Sequence, residues 1–224
     1  MQIIKPSFEI ISPVDGAEML KFIETVGRTC YKSEDKITDT SYEGFVRGIV
    51  SRGHEAMIEH ATVSVRFACD RGVSHEIVRH REASYAQEST RYCGYSKDKF
   101  GNNITYIDIE GSLMLDKGSQ SLDGETIQAI INEWYAACED AESHYMRMIQ
   151  LGASAQIARS VLTNSTKTEL CMTANLREWR HFFQLRCAPT AHPAMREITL
   201  PMLEEFKKKI PVVFDDIQFG GTNA

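Results

Sequence analysis

The sequence predicts an α+β fold: one domain over residues 1–224, with a mixed or antiparallel central sheet flanked by helices. Three observations carry this. Apolar and polar residues alternate at 61–67 and 104–109, and a loosely alternating, isoleucine-rich run opens the chain at 2–12, the period-two signature of strands. Helical spacing fills longer stretches, above all 126–151. The two patterns do not follow one another as regular strand–helix–strand units, which sets aside a doubly wound parallel sheet. With 42% hydrophobic and 25% charged residues, the composition supports a packed core and excludes a disordered chain.

Taken in order, the first strand spans 2–12. A helix follows at 17–30, where Met19, Leu20, Phe22, Ile23 and Val26 recur at helical spacing. The second helix, 41–51, has Ser41 as N-cap, Phe45, Ile49 and Val50 on its apolar side, and Gly53 just past its end. After the segment 54–60, Ala61, Val63, Val65 and Phe67 face one way from a strand, and Thr62, Ser64 and Arg66 the other. Residues 72–81 form a short helix with Val73 and Ile77 inward and Val78 a further candidate. It delivers Arg79-His80-Arg81 into an irregular polar segment. A strand at 104–109 and a polar, glycine-rich surface loop at 111–124 lead to the long helix 126–151, which Gly152 breaks. A shorter helix at 154–161 and a strand of mixed polarity at 164–173 come next. The helix at 175–187 turns Leu176, Trp179, Phe183 and either Phe182 or Leu185 inward, and a last helix, about 194–209, is stopped by Pro211.

A net charge of −6 would repel nucleic acid. Basic groups nevertheless concentrate in 79–91 and at Arg177, Arg180 and Arg186, a local potential suited to a small anionic ligand. Six cysteines at 30, 69, 93, 138, 171 and 187 include no C-x-x-C pair, so zinc spacing is absent and a disulfide framework is not expected. The opening residues lack a signal peptide's apolar core and no apolar run is long enough to span a bilayer, so a soluble cytoplasmic protein is expected.

The richest candidate site is 79–92, which sets Ser84, Gln87, Glu88, Ser89, Thr90 and Tyr92 among three arginines and a histidine. Guanidinium forks bind phosphate bidentately, and hydroxyls and amides complete the oxygen shell of a phosphate or a pyrimidine edge. A solvated charged loop is the plain alternative, but such a mixture makes poor solvating filler. Helix 175–187 carries the same kinds of group in Asn175, Arg177, His181 and Arg186, several of them near one face; an amphipathic helix with a charged outer side is its plain alternative. His54 and His60 are six apart, where zincin chemistry needs four, so no metal is expected, and His54 reads as a loop residue near the ligand. Ser84 or Ser89 beside His80 lacks a G-x-S-x-G elbow and a companion acid, and Cys93 and Cys187 read as inert thiols. No P-loop or G-x-G-x-x-G exists, so any dinucleotide must be held by side chains.

Arg79-His80-Arg81, Ser84, Ser89 and Arg91-Tyr92 together resemble the signature of flavin-dependent thymidylate synthases. Gly53-His54-Glu55, Arg159 within Ala155-Gln156-Ile157-Ala158-Arg159, and Asn175, Arg177, Trp179, Arg180, His181 and Phe182 with Arg186 follow in the family's order and approximate spacing. The resemblance implies methylation of dUMP to dTMP, with the carbon of 5,10-methylenetetrahydrofolate and a hydride delivered through FAD that NADPH reduces. It implies that Arg79, His80, Arg81, Asn175, Arg177 and His181 hold FAD, assisted by the backbone near Ala56 and the side chain of Gln87. Glu76, Arg79, Gln87, Glu88, Ser89, Thr90, Arg91 and Arg159 would hold dUMP, partly through backbone amides. Arg186 would sit against the uracil N3/O2 edge and polarise the ring, without an enzyme nucleophile, and His54 would line the folate and nicotinamide side. The family's homotetramer, with active sites shared between subunits, is implied as well, and no nucleic-acid or membrane partner. Two departures stand out: Ala86 where the signature has Asn, and His181 where an Asn serves the flavin.

Two other readings use the same residues. A non-redox nucleotide- or RNA-binding protein would be colourless and strongly salt-sensitive. A relative that kept flavin but lost methyl transfer, with Ala86 as the suspect, would oxidise NADPH without forming dTMP.

Overall fold

The computed structural model describes residues 1–92, 94–95 and 101–219, and it is α+β. Helices α1 (Gly16–Tyr31), α2 (Ser41–Ser51), α3 (Arg71–Ile77), α4 (Glu110–Leu115), α5 (Gly124–Gln150), α6 (Ala155–Ala158), α7 (Leu176–Arg186) and α8 (Pro193–Lys209) accompany six strands. These are β1 (Gln2–Ile4), β2 (Ser7–Ile10), β3 (Thr62–Asp70), β4 (Ala83–Gln87), β5 (Thr105–Ile107) and β6 (Lys167–Asn175). A four-stranded sheet has the order β2-β3-β6-β4, and β1 and β5 form a separate parallel pair with Ile3 opposite Tyr106. Strands β3 and β6 run antiparallel: Leu176 N–H donates to Ala61 C=O at one end and Arg71 N–H to Asn164 C=O at the other. No helix among the described residues is long and apolar enough to cross a membrane.

The structure corrects several sequence expectations. The opening strand is two strands in two sheets, divided at Lys5-Pro6, because proline has no N–H to carry a ladder onward. Thr40 occupies the N-cap position of α2; Ser41 is its first helical residue and sends its hydroxyl to Glu24 Oε2 at 2.7 Å. The polar segment after Arg81 contains a strand, β4, and the glycine-rich stretch 111–124 is not wholly loop, since α4 and a 3-10 turn at Ser119–Ser121 occupy much of it. Gly53 behaves as expected: at φ +71 it follows α2, with its N–H on Val50 C=O and that of His54 on Ile49 C=O, the left-handed helix ending that glycine favours.

The described residues divide into two compact units, each assembled from separate stretches of chain. The first comprises Met1–Phe8, Phe67–Arg79 and Tyr85–Cys171. Its core gathers Ile104, Tyr106, Cys138, Tyr145 and Ala158, with Trp134, Met148 and Ile149 packed against it. Helix α5 supplies five of those eight residues, Trp134, Cys138, Tyr145, Met148 and Ile149.

The second unit comprises Glu9–Arg66, His80–Ser84 and Met172–Ala224. Its centre is aromatic: Trp179, Phe182, Phe183, Phe206 and Phe214 are fully buried, with neighbouring ring centroids 5.0 to 6.0 Å apart, a spacing at which edge-to-face pairs add to area burial. Phe182 is therefore the inward residue of α7, and Leu185 is exposed. Helix α1 lies against α2, and Gly27 makes the approach possible: a Cβ there would stand 2.5 Å from the Phe45 ring. Arg180 on α7 is buried, bonded to both Asp216 oxygens at 2.6 and 2.8 Å, to Glu55 at 2.9 Å and to the Val213 carbonyl.

Candidate active site

The expected site residues fall into both units. In the first, α3 ends at Ile77 and carries half-buried Glu76, and Arg79 follows, exposed. Strand β4 then leads into the loop 88–92, which is tied down at every side chain that reaches the body. Gln87 donates from Nε2 to Ser74 Oγ at 3.0 Å and to Thr168 Oγ1 at 3.3 Å. Glu88 pairs with Lys167, which also holds Glu169, and its N–H bonds Glu169 C=O. Buried Thr90 accepts from Arg159 Nη1 at 3.0 Å, and Arg91 Nε donates to Gln156 Oε1 at 3.2 Å. Ser89 Oγ accepts from the Arg91 N–H at 3.4 Å, and Tyr92 lies exposed under the Arg91 guanidinium.

Beside this loop is a cleft of about 420 Å³ lined by Arg71, Thr90, Gln156, Arg159, Ser160, Leu162, Thr163 and Asn164. Two guanidiniums, three hydroxyls and two amides line it without a single carboxylate, which is the chemistry of an anion cradle. Arg71 and Gln156 were not among the expected residues. Gln156 lies three positions before Arg159 on one short helical turn, and that spacing was a legible sign; Arg71, the first residue after β3, gave none.

In the second unit a cleft of about 510 Å³ is lined by Glu55, Glu59, Glu82, Asn175, Arg177, Glu178, His181 and Gln184. Three expected flavin residues therefore share one cleft: Asn175, Arg177 and His181. Asn175 caps α7, its Oδ1 accepting from Glu178 N–H at 2.8 Å. Arg177 is half-exposed and bonded to Glu59 at 2.5 Å, and this bond raises its pKa. Ala56 and His54 lie exposed at and before the 3-10 turn Glu55–His60, and Arg81 is exposed with no ion partner among the described residues. The exposed guanidinium of Arg81, with the amide, guanidinium and imidazole along α7, is a donor set that fits an anionic dinucleotide. The four carboxylates in the cleft mean that Arg177 must exchange Glu59 for such a ligand.

Deeper in the same unit lies a chain of three charged or polar groups. His80 is buried; its Nδ1 is 2.9 Å from Glu178 Oε1, and its Nε2 accepts from Arg186 Nε at 3.0 Å. An arginine Nε only donates, so Nε2 carries the lone pair and the ring proton sits on Nδ1, assigned from the network. Burial lowers the His80 pKa, the hydrogen bond to Glu178 works against that, and the Arg186 charge adds to the lowering. His181 Nδ1 approaches both Glu178 oxygens at 3.2 Å.

His80, Glu178 and His181 bring one ligand atom each within 4.8 Å of one another, but the set does not fit a cation. Coordination through Nδ1 would force the His80 proton onto Nε2, against the Arg186 donor, and the guanidinium adds like charge. The nucleophile alternatives fare no better. Both His80 nitrogens face Glu178 and Arg186, not Ser84, and Cys187 is buried, donates to Thr199 C=O, and has its pKa pushed up to about 11 by burial. Cys93 lies outside the described residues.

With this geometry in hand, similarity to known proteins becomes informative. A solved structure of a UMP/dUMP methylase, PolB from Streptomyces cacaoi bound with 5-Br dUMP, superposes with a TM-score of 0.78 over 96% of each chain at 22% identity. That likeness places the chain in the same α+β fold. Residues 14–212 match the family described as thymidylate synthase complementing protein. The flavin-dependent thymidylate synthase of Corynebacterium efficiens is 30% identical over 207 residues, covering 91% of this chain and 80% of that protein. That of Geobacter sulfurreducens is 31% identical over 201 residues, covering 87% and 80%. The chain belongs to the thymidylate synthase complementing protein family.

Proposed function

We propose that this protein is a flavin-dependent thymidylate synthase that converts dUMP to dTMP. The carbon comes from 5,10-methylenetetrahydrofolate, the reducing equivalents from NADPH, and the products are dTMP, tetrahydrofolate and NADP⁺. Family membership supports the reaction class, and the carboxylate-free cleft of Arg71, Thr90, Gln156 and Arg159 is the observation that carries the substrate. A phosphomonoester needs such a cradle in an otherwise acidic chain.

In this reading Arg159, Arg91 and Arg79, with the backbone amides of Glu88, Ser89 and Thr90, hold the nucleotide phosphate, and Gln87 and Glu76 orient the nucleoside. Arg186 meets the uracil N3/O2 edge and stabilises the negative charge that builds there when C5 attacks the transferred carbon. A preorganised donor of this kind typically contributes about 10²–10³ in rate. No side chain attacks the pyrimidine, consistent with the shielded Cys187 thiol. Arg79, Arg81, His80, Asn175, Arg177 and His181, with Gln87 and the backbone near Ala56, hold FAD. The chemistry FAD supplies when bound is hydride transfer, which takes the added methylene to methyl while tetrahydrofolate leaves. His54 borders the folate and nicotinamide side. The working form is a homotetramer with shared sites in the cytoplasm.

The paired state of the other cations disfavours RNA binding through the basic segment: Arg177 is held by Glu59, Arg180 by Asp216 and Lys167 by Glu88. The test is a visible spectrum of the purified protein after FAD loading and desalting, followed by a dTMP assay with all substrates. Retained flavin near one per subunit and dTMP formation are expected. A colourless protein would remove the redox reading, and flavin with NADPH oxidation but no dTMP would mark a protein that has lost methyl transfer.

A further inference from the structure

Glu178 is in neither residue set that the family resemblance supplies, yet it sits at the end of a hydrogen-bonded chain that reaches the Arg186 guanidinium. We propose that Glu178 is a positioning residue for Arg186: its carboxylate holds the His80 proton on Nδ1, so that Nε2 offers its lone pair to Arg186 Nε and fixes the guanidinium plane. The inference rests on the role of Arg186 given above.

Each link constrains the next. Neutral imidazole has one donor and one acceptor nitrogen. Arg186 Nε, 3.0 Å from Nε2, requires that nitrogen to accept, and Glu178 Oε1, 2.9 Å from Nδ1, requires the other to donate. The ring is held sideways by Phe182, whose centroid is 4.8 Å away. Glu178 is itself held: its N–H is capped by Asn175 Oδ1 at 2.8 Å, and its carboxylate also accepts from His181. The remaining freedom in such an arrangement is the tautomer. Without Glu178 the proton can move to Nε2, where it points at a donor, and Arg186 Nε loses this acceptor.

Two substitutions separate this role from simple structural support. Glu178→Gln keeps an oxygen to accept from Nδ1–H and drops the charge; Glu178→Ala removes the acceptor. Where an outer partner fixes a histidine tautomer, its loss typically costs about 10–100-fold. Glu178→Ala should therefore lower kcat by about that factor with KM for dUMP changed less than about threefold, and Glu178→Gln should recover most of kcat.

The pH profile is the independent readout. Among the described residues, Glu178, Arg186 and His181, all on α7, act on the His80 charge; Glu178 favours the protonated ring, and the other two oppose it. Removing the Glu178 charge should move the acid limb of kcat to lower pH in Glu178→Gln. An unmoved limb in that variant, equal losses in both variants, or normal kcat in Glu178→Ala would each overturn the proposal. If Glu178→Ala fails to fold, the Glu178→Gln profile decides alone. Arg186→Ala, assayed alongside, separates the two levels: its normal turnover would remove the assumed role of Arg186 and the proposal with it. Its inactivity beside a fully active Glu178→Ala would sink the positioning role only.

Discussion

Replacing Arg159 by alanine tests the substrate assignment where the structure is most explicit. Arg159 Nη1 donates to Thr90 Oγ1 at 3.0 Å, and the guanidinium lines the same cleft as Arg71. A hydrogen bond between a cation and a phosphate contributes about 1.5–3 kcal/mol, equivalent to roughly 10–150-fold in affinity. Arg159 is exposed and Arg71 remains when it is removed, so solvent screening and the surviving charge place the expectation at the lower end, a rise of about tenfold in KM for dUMP. Because the phosphate is bound alike in ground and transition states, kcat at saturating dUMP should change by less than about threefold. The assay is initial-rate dTMP formation against dUMP concentration, with Thr90→Val in parallel. The valine variant keeps the shape, drops the acceptor that aims the guanidinium, and should give a smaller rise. An unchanged KM, or a fall in kcat at constant KM, would refute the assignment of this cleft to the phosphate.

Four other outcomes follow from the same geometry. Arg81→Ala should weaken flavin retention roughly tenfold, read as the absorbance ratio after desalting; unchanged occupancy would contradict its role. Glu59→Gln frees Arg177 from an exposed ion pair contributing at most about 1 kcal/mol, so FAD should bind about two- to fivefold tighter in a fluorescence titration; weaker binding would mean that Glu59 itself contacts the flavin. Phe182→Ala should lower unfolding free energy by about 3–5 kcal/mol and Leu185→Ala by no more than about 0.5 kcal/mol, since the first is fully buried and the second exposed; urea midpoints for the pair decide it. For pH, burial lowers the His80 pKa from 6.5, so as pH falls below 6.5 the unfolded chain takes up this proton first. Stability should drop from there until folded His80 itself titrates, and His80→Asn should lack that part of the stability–pH curve; parallel curves would show that the ring is not held neutral.

How far the sequence alone reached depended on whether a residue's partner was local. The 3.6-residue period of α5 and the alternation of β3 are properties of the segments themselves, and both were legible. Strand β4 was not: Ala83-Ser84-Tyr85-Ala86-Gln87 has no clean alternation, and the neighbouring β6 supplies its pairing. The same holds for Glu178. On a helical wheel it belongs to the charged outer side of α7, beside His181. Its burial follows from His80, 98 residues earlier in the chain. Arg180 is the parallel case, since Glu55 and Asp216, which make its burial possible, are distant in sequence.

The two clefts explain how a chain of net charge −6 can serve anionic ligands. Long-range charge matters little beyond a screening length of about 8–10 Å, so what counts is the lining of each cleft. One has Arg71 and Arg159 and no acid; the other sets four glutamates against Arg177 and His181. Paired acids need not exclude a phosphate: an exposed Glu59–Arg177 bridge stabilises little, and its cation is available by exchange. The pairing of the buried Arg180 differs in kind. Arg180 holds Asp216 at lowered pKa through a direct hydrogen bond, and breaking that contact would leave the buried guanidinium with Glu55 as its remaining carboxylate among the described residues. Of the arginines on α7, Arg177 thus lines an open cleft, Arg180 is committed to the fold, and Arg186 is held at its Nε by a neutral histidine.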